Sequence, residues 1–123
     1  MGKSRKMKRY LIIVLLVVLS PSTFAKPAPA LKNPTQGVLC DQYFCANRNG
    51  ISDSLTLTYL GEKRAKALAS QGAFDKSAFT FSNGVFCDVK EKLCHVDRYF
   101  SDGKRSPVAE KETRLLFSGG DSQ

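Results

Sequence analysis

A single histidine, His95, is all that the 123 residues contain, and its scarcity excludes a large part of enzyme chemistry. A nucleophile, a base and a group to orient them cannot be assembled from one imidazole and four cysteines that are expected to be bridged. No enzyme, cofactor or metal site is expected. The Cys-x-x-Cys spacing that depresses a thiol's pKa is missing as well, because four residues separate Cys40 from Cys45 and six separate Cys87 from Cys94. These spacings are also too long for a zinc knuckle. No apolar run reaches the roughly 20 residues of a membrane-spanning helix. The stretch over residues 10–19 is short and is broken by Pro21.

That short run has another use. Lys3, Arg5, Lys6, Lys8 and Arg9 precede an unbroken apolar segment over residues 11–19, and small residues follow over 20–25, the three parts of a secretory signal peptide. Cleavage is expected after Ala25, with Thr23 at the minus-three position. A cut after Ala30 is the alternative, although it lies far from the apolar run. Cys40 follows the bulky Leu39 and gives no lipoprotein signal. The expected mature protein is periplasmic or secreted, from a bacterium, with no stable transmembrane anchor.

An excess of one charge is also absent. The chain has 19 Lys and Arg against 11 Asp and Glu, but five of the bases precede Lys26, which leaves 14 and a mature net charge of about +3. Nucleic acid as a partner is excluded on that ground, since it calls for a strongly basic domain. The runs Lys63-Arg64-Lys66 and Lys104-Arg105 have Glu62 and Asp102 beside them and read as solvated faces.

The chain does contain a motif that occurs twice. Gly37-Val38-Leu39-Cys40-Asp41, with Cys45 following, returns as Gly84-Val85-Phe86-Cys87-Asp88, with Cys94 following, and the two copies hold every cysteine. A two-residue turn at Gln42-Tyr43 makes Cys40 face Cys45, and one at Lys90-Glu91 makes Cys87 face Cys94. In the second ladder Val85, Cys87, Val89, Cys94 and Val96 share one side, the expected core side. Phe86, Asp88, Leu93 and His95 share the other. Chain entropy favours bridges between the copies, at about 4 kcal/mol against about 2 kcal/mol for a hairpin-closing bridge. Facing cysteines on adjacent strands already have nearly the required separation, and the expected pairing is Cys40 with Cys45 and Cys87 with Cys94.

After each hairpin come a turn and a helix. The first helix is expected over residues 56–71, with Leu57, Leu60, Ala65 and Leu68 on its apolar stripe, Gly61 as a possible interruption and Gly72 as its stop. The second is expected to open with Ser106 as N-cap and Pro107 at the first position, and to stop at Gly119. Residues 79–81 alternate as a strand. The expected fold class is α+β: a small antiparallel sheet of two disulfide-stapled hairpins with two short helices, internally duplicated. Residues 1–25 are then the signal peptide, 26–36 an extended Pro-rich leader, and 37–123 the duplicated hairpin-helix domain. So small a body is marginal on apolar burial alone, and two disulfides are a common remedy.

The Gly-Val-x-Cys-Asp strand, the Arg48 that follows the second cysteine, Asn49-Gly50, the Leu57-Thr58-Tyr59-Leu60-Gly61 run and the second Cys-Asp copy together resemble the Fels prophage protein-like family, which includes the enterobacterial YcgJ proteins. The resemblance covers residues 37–119. It implies a small exported bacterial protein, phage-derived or chromosomal, and it carries over no catalytic residue.

The remaining candidates are surface groups. His95 is expected on the face away from the core. Asp41 and Asp88 are expected to pair with Arg48 and Arg98 or to close the hairpins. Tyr43, Phe44, Tyr99 and Phe100 form the candidate contact surface, since exposed aromatics are enriched in binding hot spots. The reading that follows is a noncatalytic envelope protein that binds an envelope or host component, as an adhesin, inhibitor or phage-exclusion factor. The alternatives are a structural, self-associating envelope component and, as a minor one, a thiol-disulfide enzyme.

Overall fold

The computed structural model describes residues 30–118. The expected signal peptide and the cleavage site after Ala25 lie outside the described residues. Among them, the first copy comprises β1 (Lys32–Thr35), β2 (Val38–Cys40), β3 (Cys45–Asn47), β4 (Gly50–Ser52), α1 (Asp53–Leu60) and α2 (Glu62–Ala69). The second comprises β5 (Ala78–Thr80), β6 (Phe86–Asp88), β7 (Leu93–His95), a two-stranded ribbon of β8 (Phe100–Ser101) and β9 (Lys104–Arg105), and α3 (Glu110–Phe117). No helix among the described residues is long and apolar enough to cross a membrane.

The chain is α+β, but its strands form three sheets rather than one, in the orders β1-β2-β3-β4, β5-β6-β7 and β8-β9. Duplication is visible in the strand pattern. Each copy sends a first strand through a turn that ends at a glycine in the left-handed region, Gly37 at φ 81° and Gly84 at φ 97°, and then forms the cysteine hairpin. Cys40 lies directly opposite Cys45 and Cys87 opposite Cys94, with Cα atoms 4.0 and 3.9 Å apart, and each facing pair is bridged. A helix threonine then accepts the N–H of the second cysteine in both copies: Thr56 from Cys45 at 2.9 Å and Thr113 from Cys94 at 2.8 Å. This correspondence was not read from the sequence, because the two threonines lie 11 and 19 residues beyond their partners.

Three expectations are corrected. Residues 32–35 belong not to an extended leader but to β1, an edge strand with Lys32 opposite Cys40 and Thr35 opposite Val38. Pro34 is tolerated there because an edge strand has one row of unpaired groups. Asn33 secures the turn by donating to the Thr35 and Val38 carbonyls at 2.9 and 2.7 Å. The first helix starts earlier than expected, with Ser52 as N-cap accepting the Leu55 N–H, and Gly61 at φ 94° divides it in two. Leu57 is therefore exposed in the groove beside Ala65 and Ala69, and Leu55 takes its place under the helix.

The third correction concerns α3. Ser106 and Pro107 do not open it, because residues 106–109 run alongside β7 instead: the Pro107 carbonyl accepts Val96 N–H, and Ala109 N–H donates to Cys94 O. The Ser106 hydroxyl donates to the Asp97 carbonyl at 2.9 Å rather than capping a helix. A ladder to chain 11 to 15 residues back has overridden a local cap signal.

One core joins the copies. Leu39 and Ala46 from the first hairpin meet Phe79, Phe81, Val85, Cys87 and Cys94 from the second, closed by Leu116 and Phe117 of α3. In the second copy Val85, Cys87 and Cys94 on the cysteine side are buried and Val89 packs against them, as expected, but Val96, expected on the same side, is exposed because the strand ends at His95. In the first, the cysteine side (Val38, Cys40, Cys45) is covered separately by Leu55 and Leu60, and the opposite side enters the shared core. Ile51 N–H to Lys76 O, at 3.0 Å, stitches β4 to the chain that leads into β5.

Candidate functional site

The first hairpin tip is built around Asp41. Its Oδ1 accepts the N–H groups of Tyr43 and Phe44 at 2.7 and 2.9 Å, the Asx geometry that tightens a turn. Its Oδ2 accepts Ser82 N–H at 2.7 Å from the second copy. Asp41 closes its hairpin, as one of the two expected roles, and also clasps the neighbouring copy. Arg48 reaches elsewhere, donating to the Phe117 carbonyl at 3.2 Å.

The tip presents Tyr43 and withdraws Phe44. Tyr43 is 49% exposed, with the Arg64 guanidinium 4.9 Å from its ring centre. Phe44 stacks on Phe81 at 5.2 Å and meets Phe79 edge-on at 5.9 Å, as a partly buried neighbour of the core. Phe44 is therefore a packing residue and is corrected out of the contact surface. Adjacent residues at a tight turn diverge, and only one of the two rings can turn inward.

The second pair of rings lies on the ribbon. Asp102 and Gly103, at φ 55° and 75°, make the two-residue turn that β8 and β9 need, with Ser101 opposite Lys104 and Phe100 opposite Arg105. Tyr99 and Phe100 are 62% and 59% exposed, the two highest values among the large apolar residues described. Arg98 lies over Tyr99 at 5.2 Å. Arg105 lies between two rings, 4.6 Å from the centre of Phe100 and 4.8 Å from that of Phe86. The structure thus leaves two neighbouring rings exposed, Tyr99 just before β8 under Arg98 and Phe100 on β8 under Arg105, and seats Tyr43 beside Arg64 of α2.

Beneath the ribbon lies a charged cluster that sequence reasoning did not assemble. Arg105 is 3.7 Å from Asp88 and 3.9 Å from Glu91. Asp88 therefore pairs with Arg105, not with Arg98, and its other oxygen accepts Lys90 N–H at 2.8 Å. His95 faces Phe86 in the ladder as expected, yet it is buried, only 4% exposed. Its Nδ1 lies 2.8 Å from the Ser106 carbonyl and its Nε2 2.9 Å from Glu91. Reading the strand face correctly was not enough, because the chain returns over that face 11 residues later. The available signal was Asp102-Gly103, which marks a hairpin and so places Arg105 across from Phe100.

Both disulfides are buried. No group of three or more His, Cys, Asp or Glu among the described residues is placed to hold a metal ion.

The family model described as YcgJ protein matches residues 31–117. The chain is 52% identical over 103 residues to the protein titled "Uncharacterized protein YcgJ" of Escherichia coli (strain K12), an overlap of 82% of this chain and 84% of that protein. No solved structure matches it.

Proposed function

The chain belongs to the YcgJ family, and from that premise we propose that it is an exported, noncatalytic binding module of the bacterial envelope whose contact surface is the pair of exposed rings, Tyr99 and Phe100, where the chain enters the β8–β9 ribbon. One observation carries the reading: Tyr99 and Phe100, adjacent in the chain, are both left mostly in water on a ribbon secured from below by Arg105. Burying one such ring in a partner is worth about 1.5–3 kcal/mol, and aromatic and arginine side chains dominate binding hot spots. Tyr43 with Arg64 repeats the pairing at the first hairpin tip and supplies a second, smaller contact.

Two further observations support it. Disulfides belong to an oxidising compartment, which suits export. Their burial also argues against thiol exchange, which needs an attacking thiolate to reach a sulfur.

The test is crosslinking in intact cells with epitope-tagged protein in its native envelope. The expected result is a discrete partner that is lost in the Tyr99→Ala/Phe100→Ala double variant, with folding unchanged by circular dichroism. Capture that persists in the double variant refutes this surface. Crosslinks to a second copy alone transfer the reading to a self-associating envelope component.

A further inference from the structure

Resting on the ribbon as the contact surface, we propose that the His95–Glu91 pair is a proton-operated latch that sets the position of Phe100. The argument starts from hydrogen-bond supply. Nδ1 faces the Ser106 carbonyl, which can only accept, so the Nδ1 position carries a hydrogen. Nε2 faces the Glu91 carboxylate, which when ionised also only accepts. The Nε2 to Oε1 contact at 2.9 Å therefore holds one proton, and without it two lone pairs oppose each other in a buried place.

The consequence reaches the surface in three contacts. The second oxygen of Glu91 lies 3.9 Å from Arg105 Nε, and the guanidinium supports the ring of Phe100 at 4.6 Å. His95 itself cannot withdraw, since it sits on β7 inside the ladder between Phe86 and the Ser106–Val108 return. Glu91 can, because it lies on the exposed loop between β6 and β7. When the proton leaves, Glu91 swings out, and Arg105 keeps its 3.7 Å contact to Asp88 and its place over Phe86 but loses the Glu91 anchor that sets its guanidinium against Phe100.

The groups facing the ring come from every element around it. β6 contributes Phe86 and, through Arg105, Asp88; the loop contributes Glu91; the ribbon and its return contribute Arg105 and the Ser106 carbonyl. Helix α3 packs on the opposite, cysteine side of β7 through Thr113, and none of its charged groups is a partner of the ring. The bonded form is the one that carries the Nε2–Oε1 proton, and the latch opens when that proton is lost.

Because His95 is the sole histidine, its ring proton signals in an NMR titration are unambiguous. The expected result is that the Phe100 ring signals shift with the same midpoint as His95. In Glu91→Gln that coupling is lost, because an amide can donate to a bare Nε2 or accept from a protonated one. Folding of that variant is checked by amide dispersion in the same spectra. Phe100 signals that do not follow His95, or that follow it equally in Glu91→Gln, overturn the latch. Coupled signals together with partner capture that is indifferent to Tyr99→Ala/Phe100→Ala would leave the latch standing and overturn the contact surface; the reverse pair of results separates them the other way.

Discussion

Asp41 and Asp88 occupy equivalent places beside equivalent cysteines, and their removal is expected to have unequal effects. Asp41 is 6% exposed and accepts three backbone N–H groups, one of them from the other copy. Hydrogen bonds to a charged acceptor contribute about 1.5–3 kcal/mol each. Tyr43 and Ser82 are exposed, so their freed N–H groups recover water, and discounting those two leaves about 1.5–3 kcal/mol for Asp41→Ala. Asp41→Asn keeps the Oδ1 bonds but turns an amide donor toward the Ser82 donor, at a cost of about 1.5–2 kcal/mol. Asp88 accepts one backbone N–H, and its guanidinium partner is at 3.7 Å and half-buried, so Asp88→Ala costs about 1 kcal/mol or less. Urea unfolding of the mature chain, with midpoints compared at unchanged slope, reads the difference. Equal midpoints for Asp41→Ala and Asp88→Ala would refute the assignment of Asp41 as the clasp between the copies.

Other substitutions test other parts of the fold. Thr56→Val keeps the shape but strands the buried Cys45 N–H, and unfolding experiments should show a loss of about 1–3 kcal/mol; Thr113→Val should lose a comparable amount at Cys94. Gly50→Ala places a Cβ against the Lys76 carbonyl oxygen at a backbone φ of 113°, and a loss of about 2–4 kcal/mol is expected by the same measurement. Replacing Cys40 and Cys45 together by serine should lose about 2 kcal/mol, and peptide mapping of the native chain should recover Cys40 linked to Cys45 and Cys87 to Cys94. Asp75 should titrate below the ordinary aspartate range, because the Ser77 hydroxyl and N–H both donate to it; Ser77→Ala should raise its NMR midpoint.

Much of the architecture was legible because it is local. Loop length and the two-residue period of a strand are enough to make Cys40 face Cys45 and Cys87 face Cys94, and to place Phe86 across from His95. Asp102-Gly103 specifies a hairpin in the same local way, and export follows from the N-terminal pattern as an expectation. Tyr99 and Phe100 were named as candidate exposed rings, but the ribbon that holds Phe100 was not read from the sequence.

What stayed hidden depends on partners distant in the chain. β1 is a strand because β2 lies beside it, although Pro34, with the prolines at 27 and 29 before it, reads as a leader. Phe44 turns inward because Phe79 and Phe81 wait there, and Ser106 gives up a helix cap because β7 offers it a ladder. His95 is buried because the ribbon's base folds back over a face that periodicity marks as outer. The repeat and the hairpin register are determined by the sequence alone, the register because it rests on residues within one turn of another, whereas the disulfide pairing, which chain entropy would have joined across the copies, is settled by the facing of the strands. Which faces are covered, and hence which aromatic is packed and which is exposed, is decided by the tertiary structure, because burial belongs to the packing of both copies together.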